Sequence, residues 1–330
     1  MACSKIKLLV AFIFGILLLI GLFSFSGYSE VYEIIKSVSF FYIFLGFTVI
    51  TMAFLMRTLR WNVLLRTSGY TVPANILFKS TMFGFLLNYL LPARAGDIAR
   101  GAALKATRKI PMGISLSTLV IERSLDTFTL GLMLGGTAVL LSKTSSMIAL
   151  SMAAFAIAFL LMAALFLTYK YDNIISKMLG KRFPEISGFM GAMKEGLYKT
   201  YSNPNALLVS CALSIPVWIF EISGVYIAAI AIGNKITFLQ ATLAGITSFL
   251  ALTIPVTPGG IGVHEGAMAG VLALLGIPIA TGISLALVDH FIRGSVTVVF
   301  GMISAIHLGF ASRGHFVQAK KASKKQGEVI

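Results

Sequence analysis

Two stretches decide the fold: NYLLPARAGDIARGAAL at Asn88–Leu104, and TIPVTPGGIGVHEGAMAG at Thr253–Gly270. Both carry Pro-x-x-x-Gly at a turn, Pro92 with Gly96 and Pro258 with Gly262, and an acid soon after, Asp97 or Glu265. An apolar arm precedes each turn. A long apolar segment holding a charge cluster follows it. Pro92 to Glu122 is 30 positions (122 − 92), and Pro258 to Asp289 is 31 (289 − 258). Matched Pro/Gly interruptions in two halves of a hydrophobic chain point to a transporter site between repeats.

The rest of the chain fits a membrane protein. Hydrophobic residues make up 57 % and charged residues 12 %, with a mean hydropathy of +0.91. A soluble globular protein lies far from these values. The net charge of +15 concentrates in a few loops and in the tail KKASKK, so it reads as topology and attraction to anionic lipid. The basic residues flank spans and form no separate module, which argues against nucleic-acid binding. Cys3 and Cys211 cannot build a disulfide framework. Lys5 and Lys7 before Leu8–Ser26 resemble a signal peptide. The apolar run is too long for one and no A-x-A site follows, so it reads as a retained first span.

Long apolar runs occupy Leu8–Ser26, Phe40–Met56, Met112–Leu141, Met147–Thr168, Ala206–Ile232 and Ile279–Gly309. Each approaches or exceeds the roughly 20 residues a spanning helix needs. Two shorter runs, Asn75–Leu91 and Phe238–Ile254, end at the Pro/Gly motifs. The basic segments, including Met56–Asn75 and Tyr169–Pro204, all fall on the cytoplasmic side if the two short arms enter and return as re-entrant hairpins.

The expected fold is therefore an all-α polytopic membrane protein of two inverted repeats, 1–145 and 146–310. Each has three spanning helices and one Pro/Gly-broken re-entrant hairpin. A basic cytoplasmic tail follows at 311–330. A cytoplasmic amphipathic loop at 169–204 carries Ile186, Phe189, Met190, Met193 and Leu197 at helical spacing, suited to the inner leaflet. Eight ordinary spans, with both arms crossing, is the other reading. The expected location is the cell membrane, multi-pass, with both termini cytoplasmic.

Candidate substrate-binding residues cluster at the turns and inside the spans that follow. Arg94, Asp97 and Arg100 surround a helix start, where free N–H groups and arginines favour a phosphate. Gly259, Gly260 and Gly262 allow close approach to backbone N–H donors; His264 and Glu265 open the next helix. No Lys-Ser/Thr follows those glycines, so this is no nucleotide P-loop. Glu122, Arg123 and Asp126 lie in one apolar segment, Asp289 and Arg293 in another, and Glu221 stands alone in a third. A charge at a helix centre costs ~2.5–3.5 kcal/mol, so such residues pair or face a cavity. Asp289 and Arg293 are spaced to pair with each other. Glu221 needs a partner from another helix, with Arg57, Arg60, Arg123 and Arg293 as candidates. No metal-ligand spacing, GxSxG or Cys/His signature is present, so no cofactor, metal or catalytic residue is expected.

At LLPARAGDIARGAAL, IERSLD and PVTPGGIGVHEGAMAGVLALLGIP the chain resembles the transmembrane region of lysylphosphatidylglycerol synthases. That group includes stand-alone flippase-like membrane proteins, and the likeness covers about 8–310. The family pattern often has Gly-Glu where this chain has Gly96-Asp97. In the multidomain synthases this region is held to flip an aminoacylated lipid that a separate soluble domain makes. The resemblance thus implies lipid translocation, with the synthase domain expected to be absent here. Archaeal relatives are linked to glycosylation through polyprenyl-phosphate sugars. The expected substrate is an anionic phospholipid or a lipid-linked phosphate. A lipid-modifying enzyme or glycosyltransferase partner and homo-oligomer formation stay open, as do a membrane-embedded enzyme using Glu122 or Asp126 as base and an accessory scaffold.

Overall fold

The computed structural model describes residues 2–91, 95–141, 187–253 and 256–327. Every regular element among them is a helix. Arg94 and the expected span Met147–Thr168 lie outside the described residues.

The chain opens with α1 (Ala2–Ser26) and α2 (Tyr28–Lys36), bent 95° apart at Gly27, whose φ of 81° suits glycine. The apolar runs Leu8–Ser26 and Phe40–Met56 predict a loop between them. Instead α2 forms a short amphipathic helix: Val31 is buried against Ala269, Ala280 and Ile283, while Tyr28 and Tyr32 are exposed.

Next comes α3 (Phe40–Thr67), then a hairpin of α4 (Ala74–Leu90) and α5 (Ala95–Arg108), then α6 (Met112–Leu141). The second part begins with α7 (Ser187–Tyr201) and α8 (Pro204–Ala231). A second hairpin follows: α9 (Phe238–Ala251), a 3-10 turn at Pro258–Gly260 and α10 (Val263–Leu274). The last helix, α11, runs over Ile279–Gly327. Local chemistry sets several of these boundaries. Asn203 caps α8 by accepting from the Ala206 N–H, with Pro204 in its first turn. Thr237 and Gln240 form a reciprocal capping box on α9.

Among the described residues, four helices are long and apolar enough to cross a bilayer: Phe40–Thr67, Met112–Leu141, Pro204–Ala231 and Ile279–Gly309. The bent α1–α2 pair would make a fifth. The hairpin arms have 17, 14, 14 and 12 residues, about 18–26 Å at 1.5 Å per residue.

At the centre, α3 packs along α8, so closely that a Cβ on Gly224 would fall 3.2 Å from Ile50 Cγ1. The arms then exchange partners: α4 of the first hairpin lies on α11, and α9 of the second lies on α6. The main core joins Ile50, Phe54, Met82, Trp218, Ile222, Leu285 and Ile292 across these helices.

Two sequence expectations are corrected here. Met56–Asn75 was read as a loop beyond the span, yet α3 continues to Thr67 and buries Arg57 and Arg60. It runs on because carboxylates from other helices neutralise both arginines. The expected leaflet-bound helix of the 169–204 segment appears as α7, docked on α6. A Cβ on Gly113 would fall 2.8 Å from Met193 N, and Leu197 packs with Leu64, Ile121 and Leu125. Ile186 and the Met190 side chain are outside the described residues.

Candidate functional site

The candidate site grows from two hairpins, each delivering its second arm to the span that follows. In the first, the Gly96 backbone approaches Gly84 so closely that a Cβ at Gly96 would overlap the Gly84 carbonyl oxygen. Asn88 closes the turn by accepting from the Gly96 N–H at 2.8 Å and donating to Asp97 Oδ1 at 3.3 Å. Asp97 sits in the first turn of α5, close to the anion-favouring helix start the sequence suggested. One turn on, Arg100 is fully buried. It bonds Glu122 through two nitrogens at 3.2 and 3.3 Å and lies 4.1 Å over the Trp61 ring.

Glu122 Oε1 meets three arginines: Arg123 at 2.9 Å, Arg100 at 3.2 Å and Arg60 at 3.7 Å. Asp126, one turn along α6, takes Arg60 at 2.8 Å, Arg57 at 3.3 Å and Arg123 at 3.5 Å. Its Oδ1 also accepts from Trp218 Nε1 at 3.2 Å. Arg57 reaches across to Glu221 of α8 at 2.9 Å and stacks near the Phe85 and Trp218 rings. Arg60 adds Ser214 Oγ at 2.7 Å. Each guanidinium carries five N–H donors. The Nε atoms of Arg60, Arg100 and Arg123 are buried with no partner, so the cluster holds more donors than its acceptors use. Arg123 is its accessible member, with 31 % of its side chain exposed.

Glu221 is the joint. Its other oxygen pairs with Arg293 of α11, and Arg293 Nη2 donates to the Glu221 carbonyl at 2.7 Å. Arg293 Nε also meets Asp289 at 2.7 Å, the pairing expected from their spacing. All three Arg293 nitrogens are therefore engaged. Glu221 finds the interhelical partners it needed in Arg57 and Arg293.

The second hairpin supplies a different chemistry. Its α10 carries His264 and Glu265, and α11 carries Asp289 and His290, and they pair crosswise. His290 Nδ1 lies 2.6 Å from Glu265 Oε1, and His264 Nε2 lies 3.2 Å from Asp289. The two imidazole rings stand 5.1 Å apart. Ser248 Oγ sits 2.5 Å from His264 Nδ1. Ser248, His264 and Asp289 outline a Ser-His-Asp array in which all three residues are buried. Two of the donors expected to be free in the glycine turn are taken up locally: Gly260 N–H bonds the Thr257 carbonyl at 3.1 Å, and Gly262 N–H bonds Glu265 Oε2 at 2.7 Å. Gly259, Gly260 and Gly262 serve the turn through positive φ and through close packing on Tyr89, Leu252 and Leu18.

Beside this hairpin a cavity of about 640 Å³ opens between α1, α4 and α11. Leu19, Ile261, Phe291 and Val298 line it, with Tyr89, Glu265 and His290 at its polar end. Tyr89 Oη is 3.2 Å from His290 Nε2. Sequence reasoning missed Tyr89, which sits unmarked in an apolar arm, and Ser248 and Trp218 for the same reason. It named Arg57 and Arg60 only as partners for Glu221. Their spacing of three, next to a long apolar run, was the available signal. No group of His, Cys, Asp and Glu among the described residues could hold a metal ion.

These features define a multi-pass helical membrane protein with a buried ionic network shared between two hairpin-bearing halves. Comparison with known families is direct: the model of the lysylphosphatidylglycerol synthase transmembrane region matches residues 7–301. The chain belongs to that family. It is 26 % identical to "Glycosyltransferase AglD" of Haloferax volcanii over 77 % of this chain, and spans 46 % of that protein's length. It is 22 % identical to a UPF0104 membrane protein of Methanocaldococcus jannaschii over 92 % of this chain and 94 % of the relative. A UPF0104 membrane protein of Pyrococcus horikoshii is 23 % identical over 88 % and 94 %.

Proposed function

We propose that this protein moves an anionic phospholipid or a lipid-linked, polyprenyl-phosphate substrate between leaflets, with no chemical reaction of its own. One observation carries the reading: a buried network in which five arginines meet four carboxylates and both halves share Glu221. Buried ionisable groups inside a membrane mark substrate or ion pathways. Arg123 is the accessible cation of that network and takes the substrate phosphate, together with Arg94 of the Pro92–Gly96 motif. Arg293, its nitrogens engaged, holds the halves together. Glu122 and Asp126 are too enclosed by arginines to serve as a base.

The packing supports two inverted repeats, 1–145 and 146–310. The exchange of α4 onto α11 and α9 onto α6 is the reciprocity a two-fold relation gives. The short arms support re-entrance, since each falls below the roughly 30 Å of the hydrocarbon core. Both termini are then cytoplasmic. In a background with Cys3 and Cys211 replaced, a Leu91→Cys site that reacts with an impermeant maleimide from the side opposite Lys109→Cys would contradict re-entrance.

A liposome assay with the purified protein tests transport. Fluorescent anionic phospholipid and polyprenyl-phosphate analogues should exchange leaflets faster than in empty liposomes. Absence of exchange by folded protein with every analogue would sink the reading. The match to part of a protein named a glycosyltransferase supports a second reading, an accessory to a glycosylation enzyme. That reading gains if activity requires such an enzyme in the same membrane.

A further inference from the structure

The cavity beside the second hairpin has the shape of a lipid site. Leu19, Ile261, Leu287 and the α11 face Phe291–Val298–Val299 form an apolar wall. Phe291 is 63 % exposed, and Val298 and Val299 are also exposed, so the wall opens sideways toward the acyl chains. Its volume of about 640 Å³ lies within the roughly 300–1,000 Å³ of ligand sites.

The closed end is polar and pre-organised. Glu265 engages the Gly262 N–H and His290 Nδ1, which fixes the imidazole with Nε2 toward Tyr89. Two glycines clamp the Tyr89 ring: a Cβ would lie 3.3 Å from Tyr89 Cζ at Gly259 and 2.9 Å from Tyr89 Oη at Gly294. Ser295 adds a second hydroxyl to the lining. Arg293, three residues from His290, has every nitrogen engaged. With Nδ1–H given to Glu265, His290 Nε2 accepts from Tyr89, which leaves the Tyr89 oxygen as an acceptor and the Ser295 hydroxyl as donor and acceptor at the cavity end, without an uncommitted cation among the described residues. Polar groups at membrane depth require partners, and hydroxyls match this set where a bare phosphate does not.

We propose that this cavity binds one lipid whose headgroup bears hydroxyls, of glycerol or a sugar, against Tyr89, His290 and Ser295, with its chain along Phe291–Val299. The assignment rests on the lipid-transport reading above and names the headgroup chemistry that the second half recognises, distinct from the phosphate met at Arg123.

The test uses the full chain in nanodiscs with three photoactivatable, alkyne-tagged lipids of identical chains: phosphatidylglycerol, a glycosyl-diacylglycerol and phosphatidic acid. Labelling of the 287–299 segment is read by mass spectrometry. One or both hydroxyl-bearing lipids should label it about two- to tenfold more than phosphatidic acid, the worth of one hydrogen bond. Which of the two does so names glycerol or sugar. Tyr89→Phe and His290→Gln should each remove the preference. Phe291→Trp, on the exposed wall, should lower labelling by all three lipids without unfolding the protein. Equal labelling by all three, or a preference for phosphatidic acid, overturns the proposal. The readout is equilibrium occupancy, so a failed exchange assay with the preference intact would overturn transport and leave the site standing.

Discussion

The two hairpins share a plan and differ in charge. In each, the chain reverses between two short arms and the second arm presses polar side chains against the next span. The first hairpin sends Arg100 onto Glu122, in a cluster where arginines outnumber carboxylates. The second sends His264 and Glu265 onto Asp289 and His290, where each carboxylate has a histidine opposite. Their turns also differ. The first is sealed by backbone contact at Gly84 and Gly96 and by Asn88. The second is a 3-10 turn, Pro258–Gly260, within a stretch of three positive-φ glycines beside an open cavity. One architecture thus places an arginine-rich cluster in one half and carboxylate–histidine pairs in the other, joined at Glu221; under the proposals above, the first meets phosphate and the second hydroxyls.

The sharpest way to break this comparison is at the turns. Gly96→Ala places a methyl group on the Gly84 carbonyl and should destabilise the protein by at least about 3 kcal/mol, more than ordinary overpacking. Loss of the monodisperse peak in detergent would register it. Gly266→Ala in the second hairpin meets nothing nearer than 3.7 Å. It should be neutral or stabilise by up to ~1 kcal/mol in thermal unfolding. Equal damage from both would refute the account of the first turn.

The network comes next. Glu122→Gln removes the charge that three arginines share and should cost about 3–5 kcal/mol, as breaking a buried ion pair does. Glu265→Gln keeps one acceptor oxygen, for the Gly262 N–H, and turns an NH2 toward His290 Nδ1, which accepts it in the other tautomer, so about 1–3 kcal/mol is expected. If Glu265→Gln unfolds the protein more readily than Glu122→Gln, the charge asymmetry between the halves is wrong. Smallest is Tyr89→Phe, which removes one hydrogen bond at the cavity and should shift stability by about 1 kcal/mol.

Much of this was legible in the sequence, for identifiable reasons. Turns need Pro and Gly, so Pro92–Gly96 and Pro258–Gly262 stood out. Charges inside apolar runs are costly, so Glu122, Asp126, Glu221, Asp289 and Arg293 stood out too. Arg57 and Arg60 were less visible as core residues, because arginines at the edge of a span look like cytoplasmic anchors. Only the acids of α6 and α8, distant in sequence, draw them inside. Tyr89 and Ser248 carry no signal in an apolar helix until another helix brings a histidine to them. The glycine turn differs again: the Gly260 and Gly262 N–H groups look free in the sequence, but Thr257 and Glu265 take them up in the fold.

The measurement that tests the central claim most directly compares leaflet exchange of a fluorescent anionic phospholipid, and of its polyprenyl-phosphate counterpart, by the wild-type protein and Arg123→Ala in matched liposomes. In the variant Glu122 keeps Arg60 and Arg100, and Asp126 keeps Arg57 and Arg60, so it should fold with a melting temperature within several degrees of wild type, roughly a 1–2 kcal/mol change. Exchange should fall about tenfold or more, the worth of one lost charge-assisted contact. Undiminished exchange by the folded variant would contradict the claim that the cation-rich half receives the phosphate.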